Sequence, residues 1–467
     1  MSDYQAIVIG AGPGGYPCAI RLGQLGIKTL CIEKEYWGGV CLNVGCIPSK
    51  ALINASETFQ KMQKADEMGF SVSGDISVDM GKLQTWKQSV VDKLTGGVRT
   101  LLKANKVEMA TGTATLIDGN TVEIEAPDGK KQKVTADHIV IATGSTPIQI
   151  PGFAYADAPI LDSTGALALT ELPKRMVVIG GGYIGLEMAG VYSRLGTEVT
   201  VVEMMDQLLP GFDPDVVKVL ARRVKKDGVK VLLKTKANGW EKTDDGIVVN
   251  VENDKDGKQA IPADYCLVTV GRRPNTKGFG AEKLGLEMDG PFFKVDKQMR
   301  TNVPSVFAIG DIVGNPMLAH KATHEGEVVA EVIAGHNVQF DARTIPAVVF
   351  TEPEVATAGL TEPECKEQGL NYKAGKVPFA AIGKAIANNA TEGFVKVLID
   401  ADTKLILGVT IVGHHASDII SEAALAIEMY AEALDVGLTI HPHPTLGESV
   451  MEAAKAALGE AVHVVNR

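Results

Sequence analysis

The stretch AIVIGAGPGG, residues 6–15, decides the fold of the N-terminal part of this chain. A short apolar run leads into a Gly-x-Gly-x-x-Gly pattern, and a second apolar run, TLCIE, ends in an acid at Glu33. The glycines Gly10, Gly12 and Gly15 allow a tight turn, close approach of the backbone to a pyrophosphate, and close packing of helix on strand. Glu33 stands where a carboxylate accepts hydrogen bonds from a ribose. The stretch therefore predicts a Rossmann-like domain that binds a dinucleotide.

The same pattern occurs a second time in VVIGGGYIG, residues 177–185, and the apolar run VTVVE then ends at Glu203. In both copies the acid stands 23 residues after the first glycine. Each copy also closes on an apolar strand followed by Gly-x-x-Pro, at residues 144–147 and 271–274. Two copies with equal spacing predict two homologous nucleotide-binding domains and two different dinucleotides.

Two cysteines, Cys41 and Cys46, follow the first copy. In a regular helix, residues five apart have Cα atoms about 8 to 9 Å apart, whereas a disulfide needs about 4.4 to 6.8 Å. A bridge therefore needs a distorted turn, for which Gly45 supplies backbone freedom and Pro48 disfavours the helical conformation at Ile47. Such a bridge closes a short loop and adds little stability, which suggests a bond that opens and closes during turnover. The spacing alone leaves two buried free thiols as an alternative.

Length and charge narrow the class of protein. The 467 residues exceed what one core usually serves, so we expect several domains. The formal net charge of −11 argues against nucleic acid or an anionic membrane as the main partner. No stretch approaches a transmembrane length, and the first strand starts within a few residues of Met1, so we expect no signal peptide and a bacterial cytoplasmic protein. In that compartment a disulfide is more often catalytic than structural.

Several other features receive an interpretation from the sequence. The remaining cysteines lack metal-like spacing and are interpreted as packed thiols: Cys18, Cys31, Cys266 and Cys365. The basic run at residues 222–226 is interpreted as the solvated face of a helix, and His414 and His415 as surface residues. No metal site is predicted, because neither His320 with His324 nor His441 with His443 has a third ligand at suitable spacing. From about Ile345, longer alternating strands and an Ala-rich helix predict a separate domain.

Taken together, the motifs resemble the FAD-dependent pyridine nucleotide-disulfide oxidoreductases over essentially the whole chain. The resemblance rests on GGVCLNVGCIPSK at residues 38–50, ATGS at 142–145, GD at 310–311 and HPHPTLGE at 441–448. It implies FAD at the first fingerprint, with Glu33 on the adenosine ribose, Lys50 near the flavin and Asp311 on the ribityl chain, and NAD at the second. The implied cofactor-binding residues are Gly10, Gly12, Gly15, Glu33, Lys50, Thr143, Gly144, Ser145, Gly180, Gly182, Ile184, Gly185, Glu203, Gly271, Asp311, Ala319 and His320.

The resemblance also implies an α/β architecture of two Rossmann-like dinucleotide-binding domains and a C-terminal α+β dimerisation domain. We expect an FAD-binding domain with the redox disulfide over residues 1–147 and an NAD-binding domain over 148–275. A central domain over 276–344 completes the FAD site, and a dimerisation domain covers 345–467. The implied assembly is a homodimer.

The C-terminal motif supplies a candidate base. Thiol-disulfide exchange needs a thiolate, so a base that takes the proton of the substrate thiol speeds the step. His443 is that candidate, held between Pro442 and Pro444 in an extended loop, and the family motif carries its base on this second histidine. Glu448 stands where it can fix the imidazole tautomer. Pro442 departs from the small residue expected there.

The implied catalytic residues are Cys41, Cys46, His443 and Glu448. The implied reaction oxidises protein-bound dihydrolipoamide to lipoamide and passes electrons through the disulfide and FAD to NAD⁺. The partners would be lipoyl domains of a 2-oxoacid dehydrogenase complex or of a glycine cleavage system.

Three alternatives to this reaction stay open. A glutathione reductase-like enzyme would use NADPH, and its extra phosphate calls for arginine near the second acid, whereas residues 203–206 read EMMD. Relatives with a C-terminal cysteine pair are disfavoured, because the last cysteine is Cys365. The chain could also act chiefly as a structural subunit of a multienzyme assembly, but intact motifs at every step argue against this.

Overall fold

In a computed structural model of the chain, which describes residues 2–155 and 159–466, the first glycine pattern joins a buried strand to a helix. The strands are β1 Tyr4–Ile9, β2 Thr29–Glu33, β3 Glu108–Thr111, β4 Thr113–Leu116, β5 Thr121–Glu125, β6 Lys131–Ile141, β7 Ser145–Pro147, β8 Ile160–Leu161, β9 Arg175–Ile179, β10 Glu198–Val202, β11 Lys230–Leu232, β12 Lys236–Thr243, β13 Gly246–Asn253, β14 Gly257–Ala263, β15 Tyr265–Val268, β16 Arg272–Pro274, β17 Met288–Asp289, β18 Phe292–Phe293, β19 Val306–Ala308, β20 Ala347–Val349, β21 Glu354–Gly359, β22 Tyr372–Pro378, β23 Phe394–Asp400 and β24 Ile406–Gly413.

The α-helices alternate with these strands in the first half of the chain and gather near the C-terminus. They are α1 Gly15–Gln24, α2 Gly39–Val44, α3 Cys46–Gln63, α4 Met80–Ala104, α5 Ser163–Leu167, α6 Tyr183–Leu195, α7 Pro214–Lys226, α8 Ala319–Ile333, α9 Glu362–Glu367, α10 Gly383–Ala387, α11 Ala416–Glu428, α12 Ala433–Leu438 and α13 Glu448–Leu458.

The first sheet has the parallel order β3-β2-β1-β6-β19. All of β2 and the second half of β1 are buried, as expected for parallel strands covered on both faces. The long strand β6 continues into an antiparallel extension with β5 and β4. Because β19 lies far along the chain, the polypeptide returns to the first sheet after it has completed the second.

The second sheet repeats this plan in the parallel order β11-β10-β9-β15-β8, beside an antiparallel extension of β12, β13 and β14. The first glycine of each pattern follows the first strand with positive φ, +101° at Gly10 and +109° at Gly180. A Cβ at Gly10 would lie 2.3 Å from the carbonyl oxygen of Ala142, and one at Gly180 would lie 2.6 Å from that of Thr269. Both positions therefore require glycine.

The third sheet is antiparallel, with the order β20-β21-β24-β23-β22. Helices α11 and α13 pack on it, and α12 packs against α13, around a core that includes Val397, Ile411, Ile420 and Ala453. The predicted fold class, two Rossmann-like domains followed by an α+β domain, is confirmed. The domain boundaries after residues 147, 275 and 344 stay predictions.

The local conformation at the cysteines differs in one respect from the prediction. Helix α2 ends at Val44 and α3 begins at Cys46, so the chain turns at Gly45 as expected. A Cβ at Gly45 would lie 2.9 Å from the carbonyl oxygen of Val40, so glycine permits this close approach. The expectation of a non-helical Ile47 is wrong, because Ile47 and Pro48 lie in the first turn of α3, where proline is tolerated since its missing N–H would be unpaired there anyway.

Two surface predictions are also wrong in part. Within the basic run, Arg223 is largely buried and donates to Asp227 at 3.0 Å and to Glu392 at 2.9 Å, while its basic neighbours are exposed. His414 is half-buried, and its burial together with neighbouring His415 lowers the pKa of His414 to about 4. His415 is exposed as predicted.

Replacing Gly185 by alanine tests the packing of the second glycine turn. A Cβ there would lie 2.1 Å from the carbonyl oxygen of Gly180, so we expect Gly185→Ala to lower the free energy of unfolding by about 1–3 kcal/mol. Gly182→Ala is the matched control, because a Cβ at Gly182 meets no heavy atom within 4 Å. Chemical denaturation followed by circular dichroism measures both, and equal stabilities would contradict the prediction.

Candidate active site

A cavity of about 530 Å³ lies at the carboxyl ends of the strands of the first sheet. Ligands bind at this edge in open α/β sheets. Both Cys41 and Cys46 line the cavity. The predicted cofactor residues that also line it are Gly10, Gly12, Glu33, Lys50, Thr143, Gly144, Ser145, Ile184, Asp311 and Ala319.

The cavity wall has the features that a dinucleotide requires. At Gly12 a Cβ would meet nothing closer than 3.9 Å, so the bare backbone faces open space where a pyrophosphate can approach. The carboxylate of Glu33 is held by the N–H of Ala11 at 2.7 Å and by the N–H of Glu35 at 2.9 Å. Asp311 accepts a hydrogen bond of 2.5 Å from the Ser145 hydroxyl. These groups fit the parts of FAD that the family resemblance assigns to them. Glu33 fits the adenosine ribose, and Asp311 fits the ribityl chain.

The two cysteines have unequal electrostatic surroundings. Both are free thiols in contact with each other, and the hydrogen bond between them raises the pKa of Cys41. The same hydrogen bond and the positive charge of Lys50 lower the pKa of Cys46 to about 7, although burial and Glu187 oppose this. Cys46 is therefore the thiolate of the pair near neutral pH, and Cys41 is the protonated partner.

Glu187 is a site residue that sequence reasoning missed. Its side chain is only 4% exposed and accepts from Lys50 Nζ at 2.8 Å and from the Phe350 N–H at 3.0 Å. Lys50 Nζ also lies 4.1 Å from the centre of the Phe350 ring. The signal in the sequence was the one carboxylate of the mostly apolar helix α6.

Arg272 is a second missed residue, and it comes from the second nucleotide-binding domain. Its Nε donates to the Ser145 hydroxyl at 2.8 Å and its Nη2 to the Ser145 carbonyl oxygen at 2.6 Å. Since Ser145 in turn donates to Asp311, one hydrogen-bonded chain joins the first residue of β16 to the cavity. The sequence signal for this contact was the Gly-x-x-Pro pattern that ends each copy. The last three residues of the pattern form β7 in the first copy and β16 in the second, and these two strands pair.

The second glycine loop reproduces the geometry of the first. Glu203 accepts from the Gly181 N–H at 2.6 Å and from the Met205 N–H at 2.7 Å, as Glu33 does from its own loop. Gly182 presents bare backbone to open space. Of this loop, only Tyr183 and Ile184 line the cavity that contains the cysteines, so the chain offers a separate place for a second dinucleotide.

His443 and Glu448 come together, but away from the cysteines. His443 Nδ1 lies 2.9 Å from Glu448, and the His443 side chain is 76% exposed. The second oxygen of Glu448 accepts from the Thr445 N–H at 2.8 Å. Neither His443 nor Glu448 lines the cavity. His320 is exposed, with Nε2 2.7 Å from the Pro346 carbonyl oxygen, and also lies outside the cavity wall, so its cofactor role stays a prediction.

Similarity to known proteins decides the family. A profile described as "Pyridine nucleotide-disulphide oxidoreductase" matches residues 4–326, and one described as "Pyridine nucleotide-disulphide oxidoreductase, dimerisation domain" matches residues 345–454. The chain belongs to the pyridine nucleotide-disulphide oxidoreductase family. This confirms the predicted family and enzyme class, and members of this family use FAD and a pyridine nucleotide.

Relatives within the pyridine nucleotide-disulphide oxidoreductase family cover the whole chain. The dihydrolipoyl dehydrogenase of Bacillus subtilis (strain 168) is 50% identical over 465 residues, which is 99% of this chain and 98% of that protein. The dihydrolipoyl dehydrogenase of Thermus scotoductus is 48% identical and covers 100% of both chains. The crystal structure of LpdA from Mycobacterium tuberculosis has a TM-score of 0.89 at 27% identity and covers 97% of this chain and 99% of that one. The flavoprotein disulfide reductase RclA from Escherichia coli has a TM-score of 0.86 at 25% identity with the same coverage.

Within residues 2–155 and 159–466, no group of three or more His, Cys, Asp and Glu side chains is arranged to hold a metal ion. In the same ranges, no helix combines the length and the apolar character that crossing a membrane requires.

The two charges beside Cys46 predict pKa shifts of opposite direction at this thiol when each charge is removed. Removing the positive charge with Lys50→Met should raise the pKa of Cys46 by about one pH unit or more, and Glu187→Gln should lower it. The measurement is the pH dependence of iodoacetamide alkylation at Cys46 in the reduced protein, read by mass spectrometry. Lys34→Met is the control, because Lys34 lines the same cavity and is not among the charges that shift Cys46. Shifts in the same direction for both variants would show that the pair does not tune this thiol.

Proposed function

We propose that this chain oxidises protein-bound dihydrolipoamide to lipoamide and reduces NAD⁺, acting through a Cys41–Cys46 disulfide and bound FAD. The observation that carries the proposal is that both cysteines and the first glycine loop line the same cavity. The near-equal length and about 50% identity shared with dihydrolipoyl dehydrogenases support this substrate.

In the proposed reaction, one thiol of dihydrolipoamide gives its proton to His443 and attacks Cys41 of the disulfide. The Cys41–Cys46 bond breaks and Cys46 leaves as a thiolate, a form that the nearby Lys50 stabilises. The second lipoyl thiol then attacks its own mixed disulfide and displaces Cys41, which takes up that thiol's proton, so that lipoamide leaves and the chain holds a Cys41 thiol and a Cys46 thiolate. The first glycine loop, Glu33 and Asp311 would hold FAD, which would supply the electron transfer that links the reduced cysteine pair to NAD⁺.

Glu448 has a positioning role in this scheme. Its hydrogen bond to Nδ1 of His443 directs the other ring nitrogen, Nε2, outward to the substrate. The second oxygen of Glu448 is fixed by the Thr445 N–H, which limits rotation of the carboxylate. The carboxylate also stabilises the imidazolium that forms when His443 takes the thiol proton.

We further propose that each active site combines Cys41 of one chain with His443 of a second copy. Residues 345–454 match a dimerisation domain, and His443 lies outside the cavity wall of its own chain. Large apolar side chains are exposed on the elements around His443, namely Leu425, Met429, Leu438 and Ile440. Such a patch marks a protein interface, and a second copy that covers it brings His443 beside another cavity.

The remaining assignments follow from this activity. We propose that Gly180, Gly182, Gly185, Glu203 and Gly271 bind NAD and that the enzyme works in the cytoplasm. Its macromolecular substrate is a lipoyl domain of a 2-oxoacid dehydrogenase complex or of a glycine cleavage system.

A turnover assay tests the activity and the cofactor together. With free dihydrolipoamide, the purified enzyme should reduce NAD⁺ rapidly, and Cys41→Ser or Cys46→Ser should abolish turnover. NADP⁺ should be used at least about tenfold less efficiently, because the carboxylate of Glu203 repels a 2′-phosphate. Glu203→Gln, which keeps an acceptor oxygen without the charge, should narrow that preference. Turnover with glutathione disulfide and NADPH in place of dihydrolipoamide and NAD⁺ would identify the rival enzyme instead.

Complementation tests the shared site. Cys41→Ser and His443→Ala homodimers, each nearly inactive, are mixed and allowed to exchange subunits through mild denaturation and refolding. Half of the dimers are then mixed, and each has one intact site and one site with both lesions, so we expect about a quarter of wild-type activity. No recovery, in a sample whose mixed dimers are confirmed by mass, would mean that His443 serves the cysteines of its own chain.

A further inference from the structure

A buried ion pair lies on α8, behind the cavity wall. Lys321 Nζ and the carboxylate of Glu325 are 2.7 Å apart, one helical turn from each other, and their side chains are only 7% and 3% exposed. Burial raises the pKa of Glu325, while Lys321 and the Gly310 N–H lower it. Neither residue lines the cavity, and the proposed reaction uses neither.

The pair holds both ends of one short turn. Glu325 accepts a hydrogen bond of 2.7 Å from the N–H of Gly310, and Lys321 donates one of 3.4 Å to the carbonyl oxygen of Gly314. Both glycines have positive φ, +80° and +127°, so the backbone bends sharply at each end. Asp311, whose carboxylate reaches the cavity, lies inside this turn.

Helix α8 also contacts the first glycine loop. Thr323 donates a hydrogen bond of 2.8 Å to the carbonyl oxygen of Pro13. At Gly326 a Cβ would lie 2.4 Å from the carbonyl oxygen of Gly14, so the helix and the loop are in close contact. One helix therefore carries the contacts that hold two separate parts of the cavity wall.

We propose that Lys321 and Glu325 are positioning residues for FAD: the pair fixes the Gly310–Gly314 turn and thereby holds the Asp311 carboxylate where the cofactor binds. The inference rests on the proposed role of Asp311 toward FAD. The Ser145 hydroxyl fixes the side chain of Asp311, and the ion pair fixes its backbone.

Energetics favour a positioning role over a purely stabilising one. Replacing a buried ion pair by apolar side chains of similar volume is often neutral or stabilising, whereas removing one partner leaves an unpaired buried charge. Stability alone therefore gives little reason for a charged pair at this place. The pair does what two apolar side chains cannot, since it accepts from an N–H and donates to a carbonyl four residues apart in one turn.

The test separates positioning from stability with a double substitution. Lys321→Met combined with Glu325→Met removes both hydrogen bonds to the turn without leaving a buried charge unpaired. Asp311→Asn is the reference for direct loss of the proposed cofactor contact. Glu331→Gln is the control, because Glu331 also lies on α8 but pairs with Arg21 of α1. FAD released from each diluted holoenzyme is followed by flavin fluorescence, and thermal unfolding is followed by circular dichroism with excess FAD.

We expect the double variant to bind FAD about tenfold more weakly while its thermal unfolding stays close to wild type. Asp311→Asn should weaken FAD binding at least as much, and Glu331→Gln should not change it. Wild-type FAD affinity in the double variant beside a weakened Asp311→Asn would overturn the inference and leave the proposed function standing. Wild-type affinity in Asp311→Asn would instead overturn the assignment of Asp311. The single variant Lys321→Met supplies a further check, because Glu325 then keeps its contact with Gly310. If this variant unfolds at a lower temperature than wild type but its folded fraction binds FAD as tightly, the Lys321 contact is structural only. The proposal then fails for Lys321.

Discussion

The ion pair between Lys50 and Glu187 is the contact on which the active-site arrangement depends. It joins α3, the helix that begins at Cys46, to α6, the helix that begins at the second glycine loop. Glu187 is almost fully buried, and a buried carboxylate without a partner is strongly destabilising, so the two helices are constrained to this approach. Apolar packing of Leu52 and Ile53 in a cluster with Leu186 surrounds the pair. This charged contact and its apolar surroundings thus fix the cysteine helix against the second nucleotide-binding domain, beside the pairing of β7 with β16.

The same contact gives the cysteine pair its chemical direction. The two sulfurs are only five residues apart, but Lys50 lies one turn after Cys46 on the same helix and acts mainly on that thiol. Cys41 belongs to α2, on the other side of the Gly45 turn, and stays protonated as the hydrogen-bond donor. The break between α2 and α3 at Gly45 therefore gives two otherwise similar thiols different surroundings. In the proposed reaction the substrate thiol attacks Cys41, and Cys46 leaves as the thiolate.

The features predictable from the sequence are those encoded over short distances along the chain. The glycine turns, Glu33 and Glu203 each belong to one strand-turn-helix unit, so spacing alone located them. Glu187 and Arg272 were missed because their hydrogen-bond partners are more than a hundred residues away along the chain. The sequence around each of them does not indicate which distant residue it contacts. Arg223 and His414 were misjudged for the same reason, since other segments of the chain cover them. The helical Ile47 shows that a proline can lie in the first turn of a helix, although its effect on the preceding residue had suggested a non-helical conformation there.

The pairing of β7 with β16 has a consequence for how the two nucleotide-binding domains are related. The two strands are equivalent parts of the two sequence copies. They pair antiparallel, with Thr146 opposite Arg273, Ser145 opposite Pro274, and Pro147 opposite Arg272. Equivalent residues therefore meet at the centre, which is the geometry of an isologous contact with a local two-fold axis. At this strand pair a single chain thus reproduces the local symmetry of a homodimer contact, and the hydrogen bonds from Arg272 to Ser145 join corresponding positions of the two sequence copies.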